Sequence, residues 1–218
     1  MSELPPRLWS DFDGTAIGLA KNYDPRNWVK YWLPAIEGYA DFLKGVQSTG
    51  VEIAGVVSRR PAVRRWVTQR SIKELGFAEF FTNPDQVVLK GGEREKGRFV
   101  AEESHEGPVG MLEDKPHKLG VELLGALREA SEHPRVSHHP ILLGVVSHGQ
   151  SQAYMRGLAE SVGRNHPDLS VDVSTPGKSS GDFTVTSEGF AVHVTQLEPY
   201  TEAAGQDFGQ RLHDLAAS

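Results

Sequence analysis

Arg7-Leu8-Trp9-Ser10-Asp11-Phe12-Asp13-Gly14-Thr15 is the stretch on which the fold turns. Its first four residues are strand-like and run directly into two carboxylates separated by one aromatic residue, then a glycine and a threonine. Such a sequence presents its polar groups at a strand's carboxyl end, where open α/β sheets bind ligands. Asp11 is a candidate nucleophile, because an aspartyl phosphate divides one hard displacement into two easier ones. Asp13 is a candidate general acid and then base. Gly14 permits the kink needed for close approach to an anion, and Thr15 can hydrogen-bond within that turn or to substrate. A plain Asp-Gly turn at a strand end uses the same residue types, so the rest of the chain has to decide.

Working outward, apolar residues recur at Ile36, Tyr39, Ala40, Leu43 and Val46, a helical spacing that Gly50 ends. Val51 to Val57 is a β-branched run of strand length. Pro61 sits where a second helix can begin, with Val63, Trp66, Val67, Ile72 and Leu75 as its apolar face before Gly76. Gln86 to Leu89, Pro108 to Leu112 and Ile141 to Val146 read as strands, and Lys96 to Glu103 and His117 to Ala130 as helices. Apolar strands alternating with helices predict a Rossmann-like, three-layer α/β/α sandwich with a mostly parallel sheet. Asp11, Ser58 and Glu113-Asp114 then come at the ends of three separate strands and converge at one end of the sheet.

After Ser147 the rhythm changes. Gln150 to Val162 reads as a helix, while Leu169 to Ser174, Asp182 to Ser187 and Phe190 to Val194 alternate like half-exposed strands. Ser187-Glu188-Gly189 suits a hairpin, and a last helix runs from about Tyr200 to Leu215. The expected division is a catalytic core over 1–149 and a β-hairpin and helix extension over 150–218, packed on the core.

Taken in order, these segments resemble the haloacid-dehalogenase superfamily over approximately residues 7–147. Asp11-Phe12-Asp13-Gly14-Thr15 is similar to its first motif, Val56-Val57-Ser58-Arg59-Arg60 to its second, Lys96 ahead of the next strand to its third, and Met111-Leu112-Glu113-Asp114 to its fourth. The resemblance implies that Asp11 attacks phosphorus and that Asp13 protonates the leaving group and then activates water. It implies that Ser58 hydrogen-bonds the transferring phosphoryl group, although Ser58 also suits a helix cap. Lys96 would neutralise charge on the phosphate and the nucleophile, with Lys90 as rival. The implied cofactor is Mg2+, held by Asp11, the Asp13 carbonyl and Asp114, with Glu113 either beside it or a ligand in its own right, since two aspartates are usual there.

The intervals from Ala16 to Gly50 and from Arg59 to Lys96 are short for a substantial cap domain, which suggests a capless (C0-type) phosphatase. An open site suits a bulky substrate, or one covered by a partner subunit in a homo-oligomer or by strands within 169–194, unless those strands simply extend the sheet. Arg59, Arg60, Arg64, Arg65 and Arg70 cluster after the second motif. Arg59 or Arg60 suits bidentate contact with phosphate, and a solvated face paired with acids accounts for the cluster equally well. Capless relatives with a strand-Ser-Arg segment include nucleotidases and polynucleotide 3′-phosphatases, which makes a nucleotide-like phosphate ester a reasonable substrate. Alternatives are a polynucleotide-end phosphatase or phosphotransferase and a non-catalytic binding protein of the same fold, against which the Asp11–Asp13 pair speaks. His133, His138 and His139 lie in a proline-flanked connection and carry no assigned role.

Composition bounds these readings. The 218 residues are 38% hydrophobic and 24% charged, an ordinary globular balance. The absence of cysteine excludes disulfides, thiolate metal sites and a cysteine nucleophile. A net charge of −6 argues against bulk nucleic-acid binding. No apolar run approaches membrane-spanning length, and MSELPPRLWSDFDG lacks the basic start and apolar stretch of a secretory signal, so a cytoplasmic protein is expected.

Overall fold

The computed structural model describes residues 5–18, 35–58, 60, 62–83, 86–90, 93–114, 139–146, 152–173, 182–187, 190–197 and 199–217. Strands and helices alternate through the first two thirds: β1 (Arg7–Ser10), α1 (Tyr39–Ser48), β2 (Glu52–Ser58), α2 (Arg65–Glu74), β3 (Val87–Leu89), α3 (Glu93–Glu103), β4 (Val109–Glu113) and β5 (Ile141–Val146). Then come α4 (Gln152–Asn165), β6 (Ser170–Val173), β7 (Phe183–Ser187), β8 (Phe190–Leu197) and α5 (Glu202–Ala216). All eight strands form one sheet in the order β3-β2-β1-β4-β5-β8-β7-β6. The pairings from β3 across to β8 are parallel, and those of β7 with β8 and β6 are antiparallel.

The continuous apolar strands result from burial on both faces. Leu8, Ile53, Val56, Leu112 and Leu142 point to one face, where Phe42, Leu43 and Val46 of α1, Ile72 of α2 and Phe208 and Leu212 of α5 cover them. Trp9, Ala54, Val57, Met111, Leu143 and Val145 point to the other, under Val100 of α3 and Ala159 and Val162 of α4. β1 runs to β2 and β3 on one side, whereas β4 and β5 lie on the other. The direction of winding therefore reverses between β1 and β4, the topological switch point where such sheets open a crevice. Asp11 directly follows β1, and Glu113 is the last residue of β4.

Several local expectations need correction. α1 starts at Tyr39 rather than near Ile36, because Gly38 turns the chain in the left-handed conformation (φ 78°) immediately before it. α3 starts one turn before Lys96. Val63 and Trp66 are not core residues: they are 74% and 62% exposed, and α2 instead buries Thr68, Ser71 and Ile72. The strands within 169–194 extend the sheet at its edge and do not cover the site, since β8 is hydrogen-bonded along β5 from Ile141↔Val192 to Val146↔Leu197. The sheet thus runs unbroken across residue 150. α5 lies on α1 with backbone against backbone: Gly45 faces the main chain of Glu202, and Gly205 that of Phe42. The helix expected over 117–130 and the histidines 133 and 138 lie outside the described residues. No described helix is long and apolar enough to cross a membrane.

Candidate functional site

β1 delivers Asp11 to the switch point, and its main-chain N–H donates to the Leu112 carbonyl at 3.0 Å, fixing the two strand ends side by side. The turn after β1 closes through Ala16 and Ile17 N–H groups donating to the Phe12 carbonyl, both at 3.1 Å. At its apex Gly14 has φ 88°, and a Cβ there would collide with the Asp114 carboxylate. The glycine is required twice, for its conformation and for the approach of that acid. Thr15 is fully buried, but its hydroxyl makes no hydrogen bond within the turn, contrary to expectation.

Asp11, Glu113 and Asp114 converge, with ligand oxygens all within 4.8 Å of one another and all three residues buried. Lys96, itself 0% exposed, reaches in from α3 on the opposite layer. Its Nζ lies 3.0 Å from Asp11 Oδ1 and donates to Glu113 Oε2. Lys90, the rival, instead lies over the Phe99 ring, 5.2 Å from its centroid. Lys96 thereby separates the two acids of β4: Glu113 is engaged by the ammonium, and Asp114 faces the bare Gly14 backbone.

Three carboxylates and the Lys96 ammonium are thus brought together out of water. Burial on this scale makes each carboxylate costly to ionise. It shows at Asp11, whose carboxyl is raised from the ordinary 3.8 to about 6, by burial first, against the opposing pull of Lys96. A divalent cation fits three convergent carboxylates, and an all-oxygen donor set suits a hard ion.

Asp13 and Arg60 form the rim. Arg60 Nε donates to Asp13 Oδ2 at 2.7 Å and Nη2 to Oδ1 at 2.5 Å, while Nη1 donates to Thr68 Oγ1 at 3.1 Å. Its guanidinium also stacks on Phe12, 4.9 Å from the ring centroid. The expected anion-binding Arg60 is therefore engaged by the candidate acid–base residue. Arg65 donates to the Val87 carbonyl and Arg70 pairs with Glu74, so these two members of the arginine cluster serve local structure. Arg59 lies outside the described residues. Ser58, buried at the end of β2, accepts the Arg60 N–H at 3.3 Å, a capping role of the kind its position suits. It stands two residues beyond Val56, the register partner of Ser10, and so reaches the same end of the sheet as Asp11.

Beneath the carboxylates lies a layer that motif spacing does not reveal. Tyr39 donates to Ser10 Oγ at 2.9 Å, and Ser10 donates to the Asp11 carbonyl at 2.8 Å. Burial holds the Tyr39 phenol far above its ordinary pKa, so it is a neutral donor. Helical spacing marks Tyr39 as core, but says nothing of its polar end. Compared with known proteins, the chain matches no family model and no curated sequence.

Proposed function

We propose that this protein is a magnesium-dependent phosphomonoesterase of haloacid-dehalogenase type that works through an aspartyl phosphate on Asp11. The observation that carries the reading is the buried cluster of Asp11, Glu113 and Asp114, with ligand oxygens within 4.8 Å of one another, joined to a buried lysine at the switch point of a parallel sheet.

In this reading an Asp11 oxygen attacks phosphorus, the ester P–O bond breaks, and the leaving alkoxide takes a proton from Asp13. Water then attacks the phosphorus of the aspartyl phosphate, gives its proton to Asp13, and the bond to Asp11 breaks to release inorganic phosphate. Lys96 holds Asp11 in place and offsets negative charge as it accumulates. Arg60 grips both oxygens of Asp13, so the fork opens before Asp13 reaches a leaving group. Substrate phosphate, an equally good partner for guanidinium, supplies a reason for it to open. Magnesium, when bound by Asp11, Asp114 and the Asp13 carbonyl, supplies charge neutralisation for the phosphoryl group. A small or nucleotide-like ester is the substrate class.

The test is phosphate release from an aryl phosphate and a nucleotide panel, with magnesium or EDTA. Release that needs magnesium supports the reading. A folded protein inactive on every ester would contradict it.

A further inference from the structure

Tyr200 precedes α5, far in sequence from the nucleophile, lysine and acids. Its ring packs edge-on against Tyr39 at 5.5 Å between centroids and at a tilt against Phe42 at 5.1 Å. Its carbonyl covers the bare Cα of Gly38. Just beyond it, α5 is seated on α1 with main chain against main chain at Gly45 and Gly205. The ring is thus packed on α1 at the root of α5.

The Tyr200 hydroxyl is buried and has no hydrogen-bond partner among the described residues. Tyr200 lies at the carboxyl end of the sheet, since β8 runs parallel to β5 and ends at Leu197, and the Tyr39 on which it packs bonds Ser10, the neighbour of Asp11. Asp11, Asp114 and Glu113 are among the groups that raise its pKa. Burial foremost, and then these neighbours, hold it well above the ordinary tyrosine pKa, so it keeps its proton and is a donor. Tyr39, packed against this ring and fully buried, donates to Ser10 and is satisfied. Thr15, on the turn after Asp13, shares the unpartnered state of Tyr200. A buried O–H without an acceptor is rarely tolerated unless something else supplies one.

We propose that Tyr200 Oη donates a hydrogen bond to an oxygen of the loaded site, making the segment after β8 part of that site. The acceptor is a phosphoryl oxygen of the bound substrate or a water held by the cation. The inference rests on the phosphohydrolase reading above and adds to it a residue outside the motifs. Tyr200 is then a ligand-positioning group, and the C-terminal helix is the support that aims it.

Tyr200→Phe removes the hydroxyl and nothing else. Full-length wild type and variant would be titrated calorimetrically with magnesium alone and with inorganic phosphate in saturating magnesium, and melted in parallel. The expected result is a melting temperature at or above wild type together with phosphate affinity weakened about tenfold, the worth of one hydrogen bond to an anion. A loss already present with magnesium alone assigns the acceptor to a cation-held water, and a loss confined to phosphate assigns it to the phosphoryl group. Unchanged affinity in both titrations would overturn the proposal, as would a variant that melts well below wild type, because the hydroxyl would then be bonded inside the protein. Wild type that binds neither magnesium nor phosphate would instead sink the phosphohydrolase reading, and this inference with it.

Discussion

Two buried polar clusters in this molecule solve the same problem in opposite ways. On the β7–β8 side of the sheet, Asp182 is paired with Arg211 at 2.7 Å, Arg211 also donates to Thr195 Oγ1 at 2.8 Å, and Thr184 meets His193 Nδ1 at 3.1 Å. There one carboxylate has one guanidinium, and the neighbouring His193 is held below its ordinary pKa by burial and then by Arg211, which keeps it neutral. At the switch point, Asp11, Glu113 and Asp114 bring ligand oxygens within 4.8 Å of one another, with Lys96 against Asp11 and Glu113. Balanced charge is what a fold needs to hold its helices to its sheet. Carboxylates crowded together out of water raise the cost of ionising one another, as at Asp11, and on the proposed reading a cation offsets that cost.

The largest effect that would sharpen this contrast is on turnover. Asp11→Asn should abolish magnesium-dependent phosphate release by on the order of a thousandfold or more, as expected for a nucleophile. Arg211→Met should leave kcat within about twofold, which steady-state kinetics on one aryl phosphate would read. Equal losses in both variants would break the comparison.

Stability comes next. Lys96→Met strips the ammonium from among three buried carboxylates and should destabilise the metal-free protein by roughly 3–5 kcal/mol in urea unfolding. Arg211→Met should cost less, about 1–2 kcal/mol, because its side chain is a third exposed to solvent and water can take over part of its role. Magnesium should recover part of the first loss and none of the second. At a hundred times its dissociation constant it should stabilise wild type by about 2.7 kcal/mol.

The smallest effect is in the pH dependence of the protein in EDTA. Asp11 titrates near 6 when folded and near 3.8 when not. A carboxyl that holds its proton more tightly in the folded state contributes stability fully present below the lower value and lost as pH rises through the upper one. Wild type and Asp11→Asn should therefore have similar stability near pH 4. They should diverge by on the order of 2–3 kcal/mol above about pH 6, with the variant the more stable. Magnesium should close the gap. A constant difference across pH would mean that Asp11 is not the group under strain.

Much of the site is legible in the order of residues because parallel strands announce themselves twice, as unbroken apolar runs and by the polar residues at their carboxyl ends. Asp11, Ser58, Glu113 and Asp114 are found at one sheet end for that reason. Lys96 is legible only by position ahead of β4; its complete burial belongs to tertiary packing. The Arg60–Asp13 fork spans 47 residues of sequence and has no periodic trace. Spacing counted Val63 and Trp66 as core, since an apolar residue at helical interval looks the same whether its face is covered or bare. Tyr200 is the plainest case, a single aromatic before a helix whose importance depends on where α5 docks. The rank of β8 beside β5 was likewise hidden, because half-exposed alternation fits an edge hairpin and a sheet extension alike.

The central claim is a covalent bond, and it is tested most directly by trapping it. Wild type mixed with magnesium and an aryl phosphate, quenched rapidly in acid and digested, should yield the peptide containing Asp11 with one added phosphoryl group. The adduct should be absent in EDTA and in Asp11→Asn. Phosphate release without any adduct on Asp11, or an adduct on another residue, would contradict the account.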